Sequence, residues 1–172
     1  LIIGSQNAIT YKEIFTLFRE NKIWLGYKAG DMAFKVPEYY TPRETRYWQD
    51  ETGQKWRSMG NICWYTNLDI AKRHEDLILY KSYSEEEYPK YDLYKAINVN
   101  KVAEIPCDYS QAMGVPITFL DKYNPEQFEI LDANDYRENE NVPIKKHGLI
   151  KDKDGCINGK PVYARILIRR KK

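Results

Sequence analysis

Apolar and polar positions follow a regular pattern only in the first part of the chain. The apolar residues 1–3 end at a glycine and predict a short buried strand. Residues 14–18 carry four apolar side chains at helical spacing, and Thr10 with Glu13 forms the capping-box pattern that starts a helix. Another apolar run, residues 23–25, precedes a glycine and predicts a second strand. This order predicts a strand–helix–strand unit, most simply parallel and right-handed, as in an α/β sheet.

The periodicity fades over residues 28–60, where prolines, glycines and charged residues alternate with aromatic ones. We expect a long functional loop there, because chains that stay unfolded are poor in aromatic residues. Residues 61–68 return to the pattern of a strand, Asn158-Gly159 marks the turn of a hairpin, and the tyrosine-rich residues 79–94 have no helical pattern. Short strands are expected at residues 96–99, 115–120, 128–131 and 162–168, with a polar surface insertion at 134–146 and a basic tail at 169–172.

Composition adds one unusual number, an aromatic content of 14% that includes 15 tyrosines. Tyrosine-rich surfaces are both apolar and hydrogen-bonding, which favours interfaces and nucleic-acid platforms. The formal net charge of +2 means that a polyanionic partner must meet a local basic patch. The 3 cysteines lie far apart and never in CxxC spacing, as in a reduced intracellular protein in which each is a small buried residue. No apolar run approaches the roughly 18 residues of a membrane span.

Motifs for nucleotide binding and for hydrolysis are missing. The glycines never fall in the spacing of a dinucleotide or P-loop motif, and no GxSxG elbow occurs. His74 and His147 lack the spacing of metal ligands, so we expect no metal site. Leu1 stands where an initiator methionine would, without a signal-peptide pattern, and we expect a segment of a longer, non-secreted protein. By themselves the residues describe a soluble α/β binding domain without a complete active site.

Longer motifs resemble one family. Residues 1–15 (LIIGSQNAITYKEIF), followed by residues 21–26 (NKIWLG), are similar to the adenine-specific DNA methyltransferases of the EcoRI modification methylase type. Further stretches agree with that family in the same order and at similar spacing, so the resemblance covers nearly the whole chain, with residues 28–55 and 132–156 the weaker parts. These stretches are residues 61–69, 73–74, 91–92, 96–99, 114–120, 124–129, 158–160 and 165–168.

The resemblance implies an enzyme of a restriction–modification system that transfers a methyl group from S-adenosylmethionine to the N6 atom of adenine in duplex DNA. Such enzymes flip the target base and hold its amino group against an Asn/Asp-Pro-Pro-Phe/Tyr motif. That motif and the cofactor-binding glycine loop precede this region in the family, and both are missing here. Residues 124–128 (NPEQF) are not a form of the motif, because they contain a single proline. We therefore expect the C-terminal half of the enzyme, which mainly contributes DNA recognition and has no catalytic residue or activity of its own.

The implied fold class is the C-terminal part of a Rossmann-like, S-adenosylmethionine-dependent α/β methyltransferase sheet, with an irregular, aromatic-rich DNA-recognition region. We expect residues 1–27 to end the α/β core, residues 28–131 to hold the target-recognition region with further core strands, and residues 132–172 to form the insertion, hairpin and basic tail. The implied partners are duplex DNA and the N-terminal half of the same enzyme, without a membrane, in a prokaryotic cytoplasm. A face left open by the missing half predicts self-association of the isolated chain.

Two sets of residues are candidates for the site. Ligands of open α/β sheets lie beyond the carboxyl ends of the strands, which places Gln6 and Asn7 in a pocket for the cofactor or the target base. Major-groove recognition favours arginine, asparagine and glutamine on base edges, and lysine or arginine on phosphates. By these rules the candidate DNA contacts cluster around one predicted strand: Arg57, Asn61, Trp64, Asn67, Lys72, Arg73 and His74.

Alternatives stay open for these residues and for the function. The alternative structural roles are a turn or helix cap for Asn7 and the capping of strand ends for Asn61 and Asn67. They are ordinary surface charge for Lys72 and Arg73, and core packing for Trp64. Arg73→Ala distinguishes a phosphate contact from ordinary surface charge, because loss of a phosphate contact weakens DNA binding and reduces its salt dependence. The alternative functions are a non-catalytic nucleic-acid-binding domain and a protein-interaction domain that uses residues 79–94.

Overall fold

The computed structural model describes residues 1–41 and 45–171, which form strands, one α-helix and short 3-10 helices. The α-helix, α1, is Lys12–Arg19. The strands are β1 (Ile2–Ser5), β2 (Trp24–Lys35), β3 (Tyr47–Gln49), β4 (Lys55–Thr66), β5 (Ile97–Asn98), β6 (Met113–Pro116), β7 (Phe128–Leu131), β8 (Cys156–Ile157), β9 (Lys160–Pro161) and β10 (Arg165–Arg170). The 3-10 helices are Gln6–Thr10, Ala71–His74, Val102–Glu104, Ile117–Lys122, Ala133–Tyr136 and Asp152–Asp154. Within these residues no helix has the length and apolar composition to cross a membrane.

The first sheet has the strand order β1–β4–β2, and β3 also pairs with β4. Both β1 and β2 are antiparallel to β4, so β1 and β2 run in the same direction on either side of it. The parallel direction predicted for the strand–helix–strand unit is therefore confirmed, and β4 lies between its two strands. β4 enters the sheet from later in the chain, which no local pattern around β1 and β2 could reveal.

Helix α1 packs its apolar face against the core, where Phe15 and Phe18 are buried. It ends just before Asn21, whose φ of 55° lies in the left-handed region, so the stop predicted there is confirmed. The predicted capping box is wrong. Thr10 belongs to the preceding 3-10 helix and donates its hydroxyl to the Asn7 carbonyl at 2.9 Å, while Tyr11 is the N-cap and makes no side-chain capping bond.

Much of the described part of residues 28–60 forms strands rather than the predicted long loop. β2 and β4 are 12-residue strands whose outer parts pair from Met32 opposite Met59 to Lys35 opposite Trp56. β3 adds a third strand on the other side of β4. We call the described residues from 31 to 59 the arm. Its side chains are partly exposed on both faces, so apolar residues are not confined to alternate positions and the strand pattern is weak.

Two irregularities separate the arm from the base of the sheet. The pairing register shifts between Leu25 and Ala29 and again between Gly30 and Met32. Gly30 has a φ of 101°, and Asn61, on β4 across the second shift, has a φ of 58°. Bulges bend the bulged strand and increase its twist. The arm therefore departs from the direction of the base strands at these two positions.

The second sheet has the order β5–β6–β10–β7, with β5 parallel to β6 and the other pairs antiparallel. One buried cluster joins the two sheets and contains Phe15 and Leu25 from the first side with Met113, Phe128 and Ile166 from the second. The chain is thus α/β in composition, with mixed strand directions and few helices.

The strand predictions for the second sheet are confirmed to different extents. Residues 128–131 form β7 as expected, but only two of residues 96–99 pair, as β5. The run 115–120 is extended only to Pro116 and then becomes a 3-10 helix. The last strand begins at Arg165 rather than at residue 162 and includes Arg169 and Arg170, which the sequence assigned to a basic tail. Lys172 lies outside the described residues.

The hairpin at Asn158-Gly159 is confirmed. β8 pairs with β9, and the two turn residues have φ values of 50° and 72°. The Asp92 carboxylate accepts both of their backbone N–H groups at 2.8 Å. Residues 79–94 are not helical, as expected, and their tyrosines at positions 88, 91 and 94 are buried. Among the cysteines only Cys63 is buried, since the other two are half-exposed.

Candidate nucleic-acid interface

A cleft of about 590 Å³ lies between the base of the first sheet and the loops of the second. Gln6 and Gly30 line it from the first sheet, and Lys101, Lys122 and Thr118 line it from the second side. Both lysines are exposed, and Lys101 forms an ion pair with Glu104 at 3.2 Å. The cleft therefore presents the amides of Gln6 and Asn100, two ammonium groups and the Asp121 carboxylate, which suit a polar ligand with an anionic group.

Gln6 and Asn7 begin the 3-10 helix that follows β1. The Ser5 side chain accepts the backbone N–H of Asn7 at 3.3 Å, and the Asn7 carbonyl accepts the Thr10 hydroxyl. Gln6 is half-buried and lines the cleft, whereas Asn7 is exposed and lies outside the lining. This geometry favours Gln6 as the residue that contacts a bound group, and it agrees with the alternative of a turn for Asn7.

Lys72, Arg73 and His74 share one 3-10 helix and differ in environment. Lys72 pairs at 2.6 Å with Asp121, a residue that also lines the cleft. Arg73 is only 9% exposed, and burial lowers the pKa of its guanidinium, with nearby Tyr123 and Asp69 acting in the opposite direction. His74 is exposed, with its Nε2 atom 2.6 Å from the Asp69 carboxylate. Lys72 is therefore next to the cleft, His74 faces solvent, and Arg73 packs within the protein.

Arg57 and Asn61 both lie on β4. Arg57 is in the arm, and Asn61 is at the base of the arm. A guanidinium nitrogen of Arg57 donates to the Tyr40 hydroxyl, and the Arg57 Cζ atom is 5.5 Å from the centre of the Tyr40 ring. Tyr40 in turn stacks on Tyr47, with ring centroids 6.4 Å apart. Asn61 is exposed at the bulge, where its left-handed backbone suits asparagine better than most residues.

Trp64 and Asn67 lie near the end of β4, away from the arm. Trp64 is half-buried against Gly26, and a Cβ atom at that glycine would lie 2.8 Å from the Trp64 Cβ. This close approach is the packing role given as the alternative for Trp64. Asn67 is exposed and lines an apolar groove of about 420 Å³ together with Leu1 and Ile2.

The turn between β3 and β4 is ordered by one carboxylate. Asp50 accepts hydrogen bonds from the Thr52 hydroxyl at 2.6 Å, from the Trp56 indole at 2.8 Å, and from the backbone N–H groups of Thr52 and Gln54. These bonds, led by the one from the Thr52 hydroxyl, lower the pKa of Asp50 to about 2. The end of the arm is held by a charged acceptor with several donors, which favours a single conformation.

The predicted site residues are thus distributed over the molecule rather than gathered at one place. Gln6 and Lys72 lie at the cleft or beside it, and Arg57 and Asn61 belong to β4 near the arm. Sequence reasoning missed further polar and aromatic residues of these two surfaces. It took the arm for a loop, and the cleft residues of the second side are distant in the chain from Gln6. The turn signal Asp50-Glu51-Thr52-Gly53 could have indicated the β3–β4 hairpin. The missed residues are Lys35, Trp48, Trp56, Lys101, Thr118 and Lys122.

Metal binding finds no support in the geometry of the described residues. Over residues 1–41 and 45–171, no three His, Cys, Asp or Glu side chains come together in a way that could hold an ion. The chemistry available at the cleft and the arm is hydrogen bonding, stacking and cationic attraction.

Comparison with known proteins gives one family. The family of the adenine-specific methyltransferase EcoRI matches residues 1–171. The chain is 49% identical to the Type II methyltransferase M.EcoRI of Escherichia coli over all of its own length and 50% of that protein. It is 38% identical to M.MgeORF184P of Mycoplasma genitalium and 35% identical to M.MpnI of Mycoplasma pneumoniae, both Type II methyltransferases, over 99% of the chain and 56% of each relative.

The chain therefore spans about half the length of the curated relatives it matches. No solved structure matches it. Since the family match extends along essentially the whole chain, the protein belongs to the EcoRI family of adenine-specific methyltransferases.

Proposed function

We propose that this chain is the C-terminal half of a restriction–modification enzyme that transfers a methyl group from S-adenosylmethionine to adenine N6 in duplex DNA, and that it mainly contributes DNA recognition. The observation that carries the proposal is the family match over residues 1–171 together with the 49% identity to M.EcoRI. The whole relatives are Type II methyltransferases by name, and about half of each lies outside the match.

The cleft supports a DNA-binding role. Its Gln6 amide can pair with a base edge, and the exposed Lys101 and Lys122 can attract phosphates. Arm and cleft are continuous, because Gly30 lines the cleft and the arm begins at the next residue of β2. A duplex that places one base at Gln6 would therefore lie within reach of the arm.

The cleft does not by itself fit S-adenosylmethionine. The sulfonium of that molecule is cationic, and Lys101 and Lys122 would repel it. Asp121, the carboxylate in the cleft lining, already pairs with Lys72. We therefore assign cofactor binding mainly to the N-terminal half.

An open sheet edge supports a missing half as partner. β1 pairs with β4 on one side, and within the described residues no strand pairs with its other side. Along this strand Ile2 is 69% exposed and Ile3 is 39% exposed. An unpaired strand with exposed apolar side chains is a surface that proteins normally cover. The N-terminal half is the partner that we propose for it.

A chimera tests the proposal. The matching half of M.EcoRI is replaced by this chain, and the purified chimera is incubated with labelled S-adenosylmethionine and duplex DNA. We expect transfer of label, and N6-methyladenine after digestion of the DNA to nucleosides. The chain alone is expected to bind duplex DNA with a clear salt dependence and to transfer no label.

M.EcoRI is the positive control, and its other half alone is the negative control. A folded chimera that neither binds nor methylates DNA would contradict the proposal. Methyl transfer by the chain alone would contradict the assignment of the cofactor site to the N-terminal half.

A further inference from the structure

We propose that the arm contacts duplex DNA through one row of side chains on one of its faces, formed by Lys35, Trp56 and Trp48. The inference rests on the proposed function and specifies the surface that carries it. The pairing register defines the row, because Lys35 is opposite Trp56 in the β2–β4 pair and Trp48 is opposite Trp56 in the β3–β4 pair. Directly paired residues project from the same face of a sheet.

The three side chains also contact one another. The Lys35 Nζ atom is 5.5 Å from the centre of the Trp56 ring. The rings of Trp48 and Trp56 are nearly parallel, with centroids 6.4 Å apart and an angle of 9° between their planes. Lys35 is exposed, and Trp48 is 43% exposed. The row therefore holds two nearly parallel indole rings and one ammonium group, with Lys35 and Trp48 open to solvent and Trp56 half-buried between them.

Core packing does not account for this surface. In the part of the chain that the structure describes, neither buried cluster includes a residue between Ala29 and Cys63. Tryptophan is seldom left exposed without a binding role, because burying its ring stabilises proteins and interfaces strongly. The Asp50 bond to the Trp56 indole holds the row in place before any partner binds.

Arg57 lies on the other face of the arm and makes internal contacts. It is opposite Phe34 on one side and Tyr47 on the other, and it stacks on Tyr40 as well as donating to its hydroxyl. Its guanidinium is therefore already engaged within the arm. On the face of the row, by contrast, Lys35 and Trp48 are exposed and open to a partner.

Duplex DNA is the partner that the chemistry of the arm favours, and the face of three paired strands that carries the row is the surface that would contact it. The Lys35 ammonium can neutralise a phosphate, and the tryptophan rings can pack on sugars or wedge between base steps. Because the arm begins where Gly30 lines the cleft, one duplex could contact both the row and the cleft residue Gln6.

Two substitutions in the chain test the inference, each with a matched control of the same residue class on another surface. We expect Trp48→Ala to weaken binding to duplex DNA by about tenfold or more. Lys35→Ala should lower the slope of log affinity against log salt by about one. The controls are Tyr80→Ala, at an exposed aromatic residue outside the arm, and Lys160→Ala, at an exposed lysine of β9. Neither control should change affinity or slope.

Trp48→Phe keeps an aromatic ring against Trp56 and should retain most of the affinity, which separates a lost contact from a disordered arm. If the wild-type chain binds DNA and both Trp48→Ala and Lys35→Ala bind it with the same affinity, the inference is overturned and the proposed function stays intact. Absence of DNA binding by both the wild-type chain and the M.EcoRI chimera would instead remove the proposed function. If Trp48→Ala abolishes self-association in light scattering but leaves DNA affinity unchanged, the row is a protein interface and the inference fails.

Discussion

The guanidinium of Arg73 stacks on the indole of Trp24, with the Arg73 Cζ atom 3.8 Å from the centre of the ring. Its Nη2 atom donates to Asn21 Oδ1 at 3.0 Å, and the same oxygen accepts the Tyr123 hydroxyl at 3.1 Å. The Nη1 atom is buried without a hydrogen-bond partner among the described residues. Arg73 therefore joins the end of α1, the start of β2 and the 3-10 helix that contains it.

We expect Arg73→Ala to lower the free energy of unfolding by about 2 kcal/mol, because it removes a buried stack and a charged hydrogen bond. Urea unfolding of the chain measures this. Lys72→Ala, which breaks a partly exposed ion pair in the same 3-10 helix, should cost less than about 1 kcal/mol. An unchanged stability with a reduced salt slope of DNA binding would instead support the phosphate contact predicted from the sequence.

The end of the arm should lose order in acid. The pKa of Asp50 is lowered to about 2, against about 3.9 for an unfolded aspartate, so its carboxylate stabilises the folded arm above the unfolded pKa. That stabilisation is lost as the pH falls from about 4 towards 2. The Trp56 indole N–H resonance, followed by NMR, should shift over that range. Asp50→Asn should abolish the transition and Glu51→Gln should leave it unchanged; a transition that persists in Asp50→Asn would assign it to another group.

Gln6 and Asn7 should differ in their effect on methylation. In the M.EcoRI chimera we expect Gln6→Ala to reduce methyl transfer by about tenfold or more, because Gln6 lines the cleft and one hydrogen bond to a base contributes about 1–3 kcal/mol. Asn7→Ala should lower methylation less than Gln6→Ala and have little effect on folding, because Asn7 lies outside the lining of the cleft. Steady-state kinetics with thermal unfolding as the control measure both. Equal rates for Gln6→Ala and the unchanged chimera would remove Gln6 from the site.

The open edge of β1 should cause the isolated chain to self-associate. We expect Ile2→Lys to shift the chain towards monomer, because a charge on an exposed edge strand prevents pairing with another chain. Light scattering at several concentrations measures the change. Ile144→Lys is the matched control, since Ile144 is 71% exposed and lies outside the sheet. The chimera should be monomeric without either substitution; a chimera that associates as strongly as the chain would show that the N-terminal half does not cover this edge.

The local elements with strong patterns were predictable from the sequence. The helical spacing of residues 14–18 indicated α1, Asn158-Gly159 indicated a hairpin, and residues 128–131 indicated β7. The family resemblance was carried by motifs along the chain, and the family match over residues 1–171 confirms it. Each of these signals is local, so it needs no knowledge of which residues meet in space.

Tertiary structure alone decided the order of the first sheet and the existence of the arm. β4 lies between β1 and β2 because later residues enter the sheet, and backbone pairing across such distances leaves no periodic trace. The arm is exposed on both faces, so its strands lack the alternation by which burial on one face reveals a strand. The sequence also grouped Lys72, Arg73 and His74 together, because they are neighbours in the chain. Packing buried Arg73 against Trp24 and left Lys72 and His74 nearer the surface. Residue type and spacing determined the family and the local elements, and contacts between distant residues determined which side chains are free to bind.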